Sequence, residues 1–596
     1  MIKQRLEALR QLMQERNIDI YIVPTSDFHE SEYVGDYFKA RMFLTGFTGS
    51  AGTAVVTKTE AGLWTDGRYF IQAANQLEGS TIELYKMGEE NVPTVSEFIK
   101  EKLQEGGCVG FDGRVINTTL GENFLSIVKE KNGCLKVDED LVGMIWKDRP
   151  ALSKQPAYAL DIKYSGKSSA EKLLDVRSQM EQEGVDYHIL TSLDDIAWLF
   201  NIRGNDAKHF PIVLSFVVIG KQDAHFFVQE GVLNEAICLE MKKNKVQIHK
   251  YEEIYEFVGH IEENAKVLLA KGKVNFRIVS NLPKTVTIID KLNPTTPMKA
   301  IKNSVELDNI RKAHIKDGVA FTKFMYWLKT NIGKIPMTEI TASDYLEKRR
   351  EEQAGFIDLS FDTICAYEAN GAMMHYSATE ESCAVLEPKG FLLVDSGGHY
   401  FEGSTDITRT MALGPITEKQ RYHFTLVLRS NLNLASAKFL HGCCGQNLDI
   451  LSRGPLWEVG LDYRCGTGHG VGYLLNIHEA PNGFRWKIVP ERNDSAVLEE
   501  GMVTTDEPGV YLEGEYGIRT ENELICKKAE KTEYGQFMEF EPVTYAPIDL
   551  DAIDPTIMTE REKDILNNYH KMVFEKLSPY LTSDEVEWLR NYTREI

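Results

Sequence analysis

One run of elements occurs twice in the first half of the chain, and that repeat limits the folds open to it. A helix with Leu6, Leu9 and Met13 along one stripe leads to a strand over 18–23 and then to Thr25-Ser26-Asp27. The Gly-rich Phe43-Leu-Thr-Gly-Phe-Thr-Gly-Ser-Ala-Gly52 follows, then a strand over 53–57 and Trp64-Thr-Asp-Gly-Arg68. A helix over 170–183 starts the order again. It is followed by a strand over 185–190, by Thr191-Ser192-Leu193-Asp194, and by the Gly-containing turn Asn201-Ile-Arg-Gly-Asn-Asp206. The fold class expected is therefore α/β, with two related N-terminal units over 1–155 and 156–301. Lys147-Asp-Arg-Pro-Ala-Leu-Ser-Lys-Gln-Pro156 serves as the linker, because two prolines and polar residues interrupt the pattern there.

The rest of the chain, 302–596, reads as a third, larger domain of mixed helix and strand. A long helix is expected from an N-cap at Ser304 to about 331, where Gly333 and Pro336 stop it. A second helix covers 340–353, and a strand over 361–366 leads to Met373-Met-His375-Tyr376. Thr417-Glu-Lys-Gln420 is a capping box that opens a helix ending near Gly442. The tail, from about 545, closes with helices capped at Thr559-x-x-Glu562 and Thr582-x-x-Glu585, read as packing or oligomer-contact elements.

At 596 residues the chain exceeds one core, given roughly 100–200 residues per domain. Its net charge of −22 argues against nucleic acid or an anionic membrane as main partner, since both need a basic surface. No stretch approaches the ~18 consecutive apolar residues of a transmembrane helix, and Met1-Ile-Lys-Gln-Arg-Leu-Glu-Ala-Leu-Arg10 lacks the apolar core of a signal peptide. Nine cysteines lie scattered without a paired framework, so a reduced, cytoplasmic setting is the expectation.

The chemistry is concentrated in the third domain. Phe391-Leu-Leu-Val394 reads as a buried strand delivering Asp395, and Gly397-Gly398 and Gly403-Ser404 fold the chain back as a hairpin carrying Asp406. An isolated Asp beside glycine ordinarily binds backbone amides in a turn. Here three further groups accompany the pair. Gly466-Thr-Gly-His469-Gly-Val-Gly472 lets backbone approach the imidazole closely. In Thr505-Asp-Glu507-Pro508-Gly509 the Pro-Gly turn fixes the direction of Glu507. Over 517–525 a period-two strand points Glu521 and Glu523 to one face, Glu523 as a solvated or supporting neighbour.

Charge decides what such a set binds. Four converging carboxylates push one another's pKa values up until protons or cations compensate, and two divalent ions cancel the charge. A carboxylate-rich set with one imidazole suits Mn²⁺ best, with Co²⁺, Fe²⁺ or Zn²⁺ as competitors. Two such ions about 3.5–4 Å apart share a water and lower its pKa from about 15.7 to about 7. At about 1.36 kcal/mol per unit the change is worth about 12 kcal/mol. The reaction implied is metal-assisted hydrolysis.

The set Asp395, Asp406, Gly466-Thr-Gly-His469-Gly-Val-Gly472, Thr505-Asp-Glu507-Pro-Gly and Arg519-Thr-Glu521-Asn resembles the dinuclear metallopeptidases of the pita-bread fold. Within them it is similar to aminopeptidase P, the Xaa-Pro aminopeptidase, in its long three-domain form. Leu193-Asp-Asp-Ile-Ala-Trp-Leu-Phe-Asn-Ile-Arg-Gly204 and Trp64-Thr-Asp-Gly-Arg68 resemble stretches of that family's two other domains. The resemblance implies hydrolysis of the N-terminal Xaa-Pro bond by a hydroxide bridging two divalent ions. It also implies peptides with proline second as substrates, and a homodimer. By the same resemblance Asp395 chelates one ion, His469 and Glu507 the other, and Asp406 and Glu521 bridge them. Glu507 doubles as proton shuttle. His375 and His478 hold the peptide and steady the tetrahedral intermediate, while Arg519 fixes a carboxylate. The family's usual His four residues before the metal His is Cys465 in Gly460-Leu-Asp-Tyr-Arg-Cys465, read as an inert wall ahead of a soft ligand or an oxidisable thiol.

Three rivals remain. Prolidase shares the fold and prefers dipeptides. A creatinase-type amidinohydrolase normally lacks the metal set. A non-enzymatic pita-bread module, such as a histone-chaperone domain, generally has lost the ligands that this chain keeps.

Overall fold

The computed structural model describes residues 1–489 and 492–596. It divides into two compact units: residues 1–160 with 167–295, and residues 161–166 with 296–596.

The first unit holds both copies of the repeat. In the first copy the strands Ile20–Pro24, Thr53–Thr57, Ala61–Thr65, Glu83–Lys86, Cys108–Gly110 and Cys134–Lys136 (β1 to β6) form one sheet in the order β4-β3-β2-β1-β5-β6. In the second, Tyr187–Leu190, Ser215–Gly220, Ala224–Val228, Val246–Lys250, Lys266–Leu269 and Thr287–Asp290 (β7 to β12) form a sheet in the order β10-β9-β8-β7-β11-β12. The two orders are the same, so the repeat read in the sequence is a repeat of topology. Each copy opens with an amphipathic helix. Ile2–Glu15 buries Leu6, Leu9 and Met13, while Ser169–Glu183 starts at a Ser168/Glu171 capping box and ends at Gly184 with φ 64°. Cys108 and Cys134 face each other across the parallel pair β5/β6 and are joined as a disulfide, a pairing that scattered spacing does not reveal.

The second unit carries the candidate chemistry. Strands Phe391–Ser396 (β13) and Ile407–Ala412 (β14) pair antiparallel with Asp395 opposite Thr408, and Ile364–Tyr367 flanks β13 on its other side. β13 is buried at all six positions, as its apolar run requires. A six-stranded sheet includes Gly468–Gly470 (β15), Val503–Asp506 (β16) and Asn522–Thr532 (β18). Tyr516–Arg519 (β17) pairs with Gly509–Leu512.

Several boundaries differ from the sequence expectation. The long helix does span Ser304–Asn331, but its cap is Asn303, whose Oδ1 accepts from the Val305 and Glu306 amides. The helix opened by the Thr417/Gln420 box stops at Ala435 rather than near Gly442, because Lys438–Leu440 is drawn off to pair with Gly535–Pro542. The strand expected over 517–525 breaks at Thr520 and Glu521, between β17 and β18. The tail helices Glu560–Leu577 (α1) and Ser583–Tyr592 (α2) carry the expected capping boxes. α1 buries Leu566, Tyr569, His570, Val573 and Leu577 in the core of this unit. Among the described residues no helix is long and apolar enough to cross a membrane. The fold class is the one expected: two related α/β copies, then a larger mixed domain with a helical tail.

Candidate metal centre

Among the described residues, one group of three His, Cys, Asp or Glu side chains has its ligand atoms all within 4.8 Å of one another. It is Asp406, His469 and Glu521. They come from three separate places: the residue before β14, the middle of β15, and the break between β17 and β18. Two further carboxylates close on this group. Glu507 Oε1 lies 3.6 Å from His469 Nε2, and Asp406 Oδ2 lies 3.4 Å from the same nitrogen. Asp395 is close enough to raise the pKa of both Asp406 and Glu521.

The local sequence explains the convergence. A Cβ on Gly468 would fall 1.8 Å from the Thr505 carbonyl oxygen, so only glycine lets β15 lie against the strand that delivers Glu507. His469 is then pinned at two points. Its amide donates to Thr505 Oγ1 at 3.0 Å, and its Nδ1–H donates to the Gly470 carbonyl at 2.9 Å. That second bond leaves Nε2 as the lone-pair donor, facing the carboxylates. Thr505 Oγ1 donates to Glu507 Oε1 at 3.3 Å. Thr408 Oγ1 donates to Glu521 Oε2 at 2.7 Å and accepts from Arg519 Nε at 3.1 Å.

Arg519 is the cation of the site. Its Nη2 donates to Asp395 Oδ2 and its Nη1 to Tyr511 Oη at 2.7 Å. One guanidinium does not balance the set. Burial first, then Asp395, Glu507 and Glu523, push Asp406 well above the usual carboxylate range. Burial, then Asp406, Glu507 and Asp395, do the same to Glu521. Asp395 Oδ1 is buried with no hydrogen-bond partner. Converging lone pairs, an orphaned carboxylate oxygen and uncompensated repulsion are what a site for divalent cations presents, so the donors fit such ions.

Of the other residues singled out in the sequence, His478 is brought to the cluster. Its ring stands edge-on to that of His469, with centroids 4.3 Å apart at 87°. The following Glu479 is buried between Lys299 and Lys302. Cys465 lies beside the site as a thiol. Burial first and then the Glu507 carboxylate push it up to about 11. His375 is half-buried after the 3₁₀ segment Glu368–Ala372. That segment packs on β17, where a Cβ on Gly517 would fall 1.7 Å from the Gly371 carbonyl oxygen.

Of the supports behind the donors, the sequence offered Arg519 and, as one of two readings, Glu523, but not Arg409 or His314. Glu523 is neither solvated nor peripheral: it is fully buried, its Oε1 accepts the Asp406 amide at 2.7 Å, and its Oε2 lies 3.2 Å from His314 Nε2. Arg409, buried on β14, donates to the Glu521 carbonyl at 2.6 Å, to Asn522 Oδ1 at 2.8 Å and to Tyr569 Oη of α1 at 2.8 Å. Strand alternation pointed to Glu523 beside Glu521, but no local pattern marks Arg409, three positions after a donor.

With that geometry in hand, comparison with known proteins gives the family. The creatinase/prolidase N-terminal domain is matched over residues 5–137 and again, in a second form, over 148–306. Metallopeptidase family M24 is matched over 308–528, and the C-terminal region of peptidase M24 over 536–596. A Paracoccidioides brasiliensis protein named "Probable Xaa-Pro aminopeptidase P" is 38% identical over 617 residues, covering 100% of this chain and 99% of its own. The X-prolyl aminopeptidase of Caenorhabditis elegans, described as a cytosolic enzyme with a di-nuclear active site, superposes with a TM-score of 0.94 at 33% identity, covering 100% of both chains. The Xaa-Pro dipeptidase of Bacillus anthracis matches with a TM-score of 0.51 at 25% identity, and covers 64% of this chain against 99% of its own. The chain belongs to metallopeptidase family M24 and, within it, to the group of the Xaa-Pro aminopeptidases P.

Proposed function

We infer that this protein is a metal-dependent aminopeptidase that hydrolyses the bond between an N-terminal residue and a following proline. The observation that carries the reading is the convergence of Asp406, His469 and Glu521, with Glu507 3.6 Å from the imidazole. Two divalent cations are the cofactor. Bound there, they supply Lewis acidity and lower the pKa of a shared water. Of the ions available, Mn²⁺ is proposed from the donor set, which is four carboxylates and one imidazole.

The roles proposed for the residues are those the family resemblance implies, with exposure and charge in support. Asp395 would help hold one ion and His469 and Glu507 the other, with Asp406 and Glu521 serving both. The leaving proline nitrogen, like any amide nitrogen, cannot depart as an anion and needs a proton. Glu507 is proposed as the shuttle. Its side chain keeps 20% of its surface exposed, against 11% for Asp395 and 5% for Asp406, so it can exchange protons with water without leaving the site. His478, edge-on to His469, and His375 are proposed to donate to the peptide carbonyl as its oxygen gains charge. Arg519 holds Asp395 in place, and Cys465 lines the wall beside Glu507.

Three domains are proposed, 1–155, 156–301 and 302–596 with its helical extension from about 545, supported by the stretches matched above. A homodimer is proposed as well. Trp457 and Trp486, 40% and 46% exposed, stand edge-to-face 6.1 Å apart on the same unit as Ile450 and Ile488, 48% and 58% exposed, and such apolar surface favours a partner. The cytoplasm is the proposed location, in line with the cytosolic description of the Caenorhabditis elegans relative.

The test is metal analysis coupled to a peptide panel varying the second residue. Two ions per chain and release of the first residue from Arg-Pro-Pro-type tripeptides are expected, and preference for Xaa-Pro dipeptides would make it a prolidase instead. Glu521→Ala should lose metal and turnover together, and retained activity would overturn the assignment.

A further inference from the structure

Glu339 is a fully buried carboxylate on no sequence motif, at the first position of the helix Glu339–Glu351. It takes no part in the donor cluster. Its Oε1 accepts the Tyr367 amide at 2.7 Å and Asn370 Nδ2 at 2.9 Å. Its Oε2 accepts Tyr376 Oη at 2.8 Å and the Ala384 amide at 2.8 Å. All four donors are neutral, and all four lie within residues 367–384, the segment that carries His375. The Glu339 amide adds a bond to the Ala384 carbonyl at 3.1 Å.

The segment is thus drawn around a single side chain. Tyr376, whose hydroxyl is bound, is the next residue after His375, so fixing that ring fixes the backbone from which the imidazole projects. Asn370 Nδ2 also reaches Tyr376 Oη at 3.1 Å, which cross-braces the two sides. In the outer turn Thr379 and Ser382, both exposed, bond to each other, and Tyr376 Oη lies 3.1 Å from the Ser382 carbonyl, so the same ring ties this turn back. Burying a carboxylate against neutral donors is costly, while four bonds to a charged acceptor are individually strong.

We propose that Glu339 is the positioning residue of His375: by accepting four hydrogen bonds from residues on both sides of it, the carboxylate sets where the imidazole stands. This rests on the role assigned to His375 above. Glu339→Gln keeps the size of the side chain and turns one acceptor into a donor, facing either the Ala384 amide or the Tyr367 amide. The prediction is a kcat lowered at least tenfold for Xaa-Pro peptides, metal content unchanged, and faster hydrogen exchange confined to 367–384. In a double-variant cycle, Glu339→Gln added to His375→Ala should cost no further activity. Tyr376→Phe removes one donor of the four and should give a smaller change of the same kind. It serves as the readout if the Gln variant does not fold.

Unchanged exchange over 367–384 in these variants would overturn the proposal, as would losses that multiply in the double variant. A fully active His375→Ala would instead remove the catalytic role of His375, and exchange alone would then decide for or against Glu339.

Discussion

Acidification should loosen the C-terminal helix α1, and His570 sets the size of the effect. His570 is buried, and its Nε2 accepts the Ile548 amide at 3.0 Å. Burial first, then the nearby Arg409 and Arg594, lower its pKa from 6.5 to about 3. The folded state therefore holds the ring neutral where the unfolded chain protonates it. The stability this provides is fully present above pH 6.5 and falls as pH drops through the window from 6.5 towards 3. At about 1.36 kcal/mol per pH unit, moving from neutral pH to about 4.5 costs about 2.7 kcal/mol. His29 and His188, each lowered to about 4 by burial, add slopes of their own. A substitution isolates the part belonging to His570. His570→Gln can still accept from Ile548 but does not titrate. Urea unfolding of the metal-free protein, followed by circular dichroism at about pH 7.5 and 4.5, should show the variant losing about 2–3 kcal/mol less than the natural chain. Equal losses in the two proteins would mean that the ring is not held neutral, and the reasoning would fail.

The remaining expectations concern the metal centre and its supports. Glu523→Gln removes a buried negative charge while leaving an oxygen that can still accept the Asp406 amide, so metal affinity should fall roughly ten- to hundredfold; an unchanged binding isotherm would make Glu523 a bystander. Cys465→His restores the ring that the family usually carries, and should change KM or kcat for Xaa-Pro peptides several-fold, whereas identical kinetics would show the position to be silent. Tyr569→Phe leaves Arg409 one acceptor short, which should cost about 1–3 kcal/mol and lower the melting temperature. An unshifted melt would show that the hydroxyl contributes nothing.

What could be read from the chain, and what could not, divides along sequence distance. β13 announces itself as an apolar run ending in Asp395, and Gly468 and Gly470 flank His469 because two neighbouring backbones press there. These are local facts, and the repeated helix–strand order is local as well. The donors were legible for a different reason: carboxylate and imidazole types at Gly- and Pro-punctuated turns match a family's motifs, and charge balance then limits what they bind. The supports were only partly legible: Arg519 and the supporting reading of Glu523 could be offered, Arg409 and His314 could not. Glu523 looked like an alternating strand residue because nothing nearby shows that the strand breaks at Thr520 and Glu521, or that His314 of the long helix waits beside it. Asn303 and Ser304 are equally good caps by composition, and the turn of the chain chooses between them. The helix from Glu418 stops early because its continuation pairs with a strand some hundred residues later. Cys108 and Cys134 meet only because β5 and β6 are neighbours.

The bond between Arg409 and Tyr569 has a consequence for the order in which the molecule is completed. Every proposed donor leaves the ribosome before Tyr569 does, so a nascent chain already holds the carboxylates while the hydroxyl that braces Arg409, and through it the Glu521 carbonyl, is still unmade. A protease that clips the last helices would not simply shorten the protein; it would take away the rear brace of the cage.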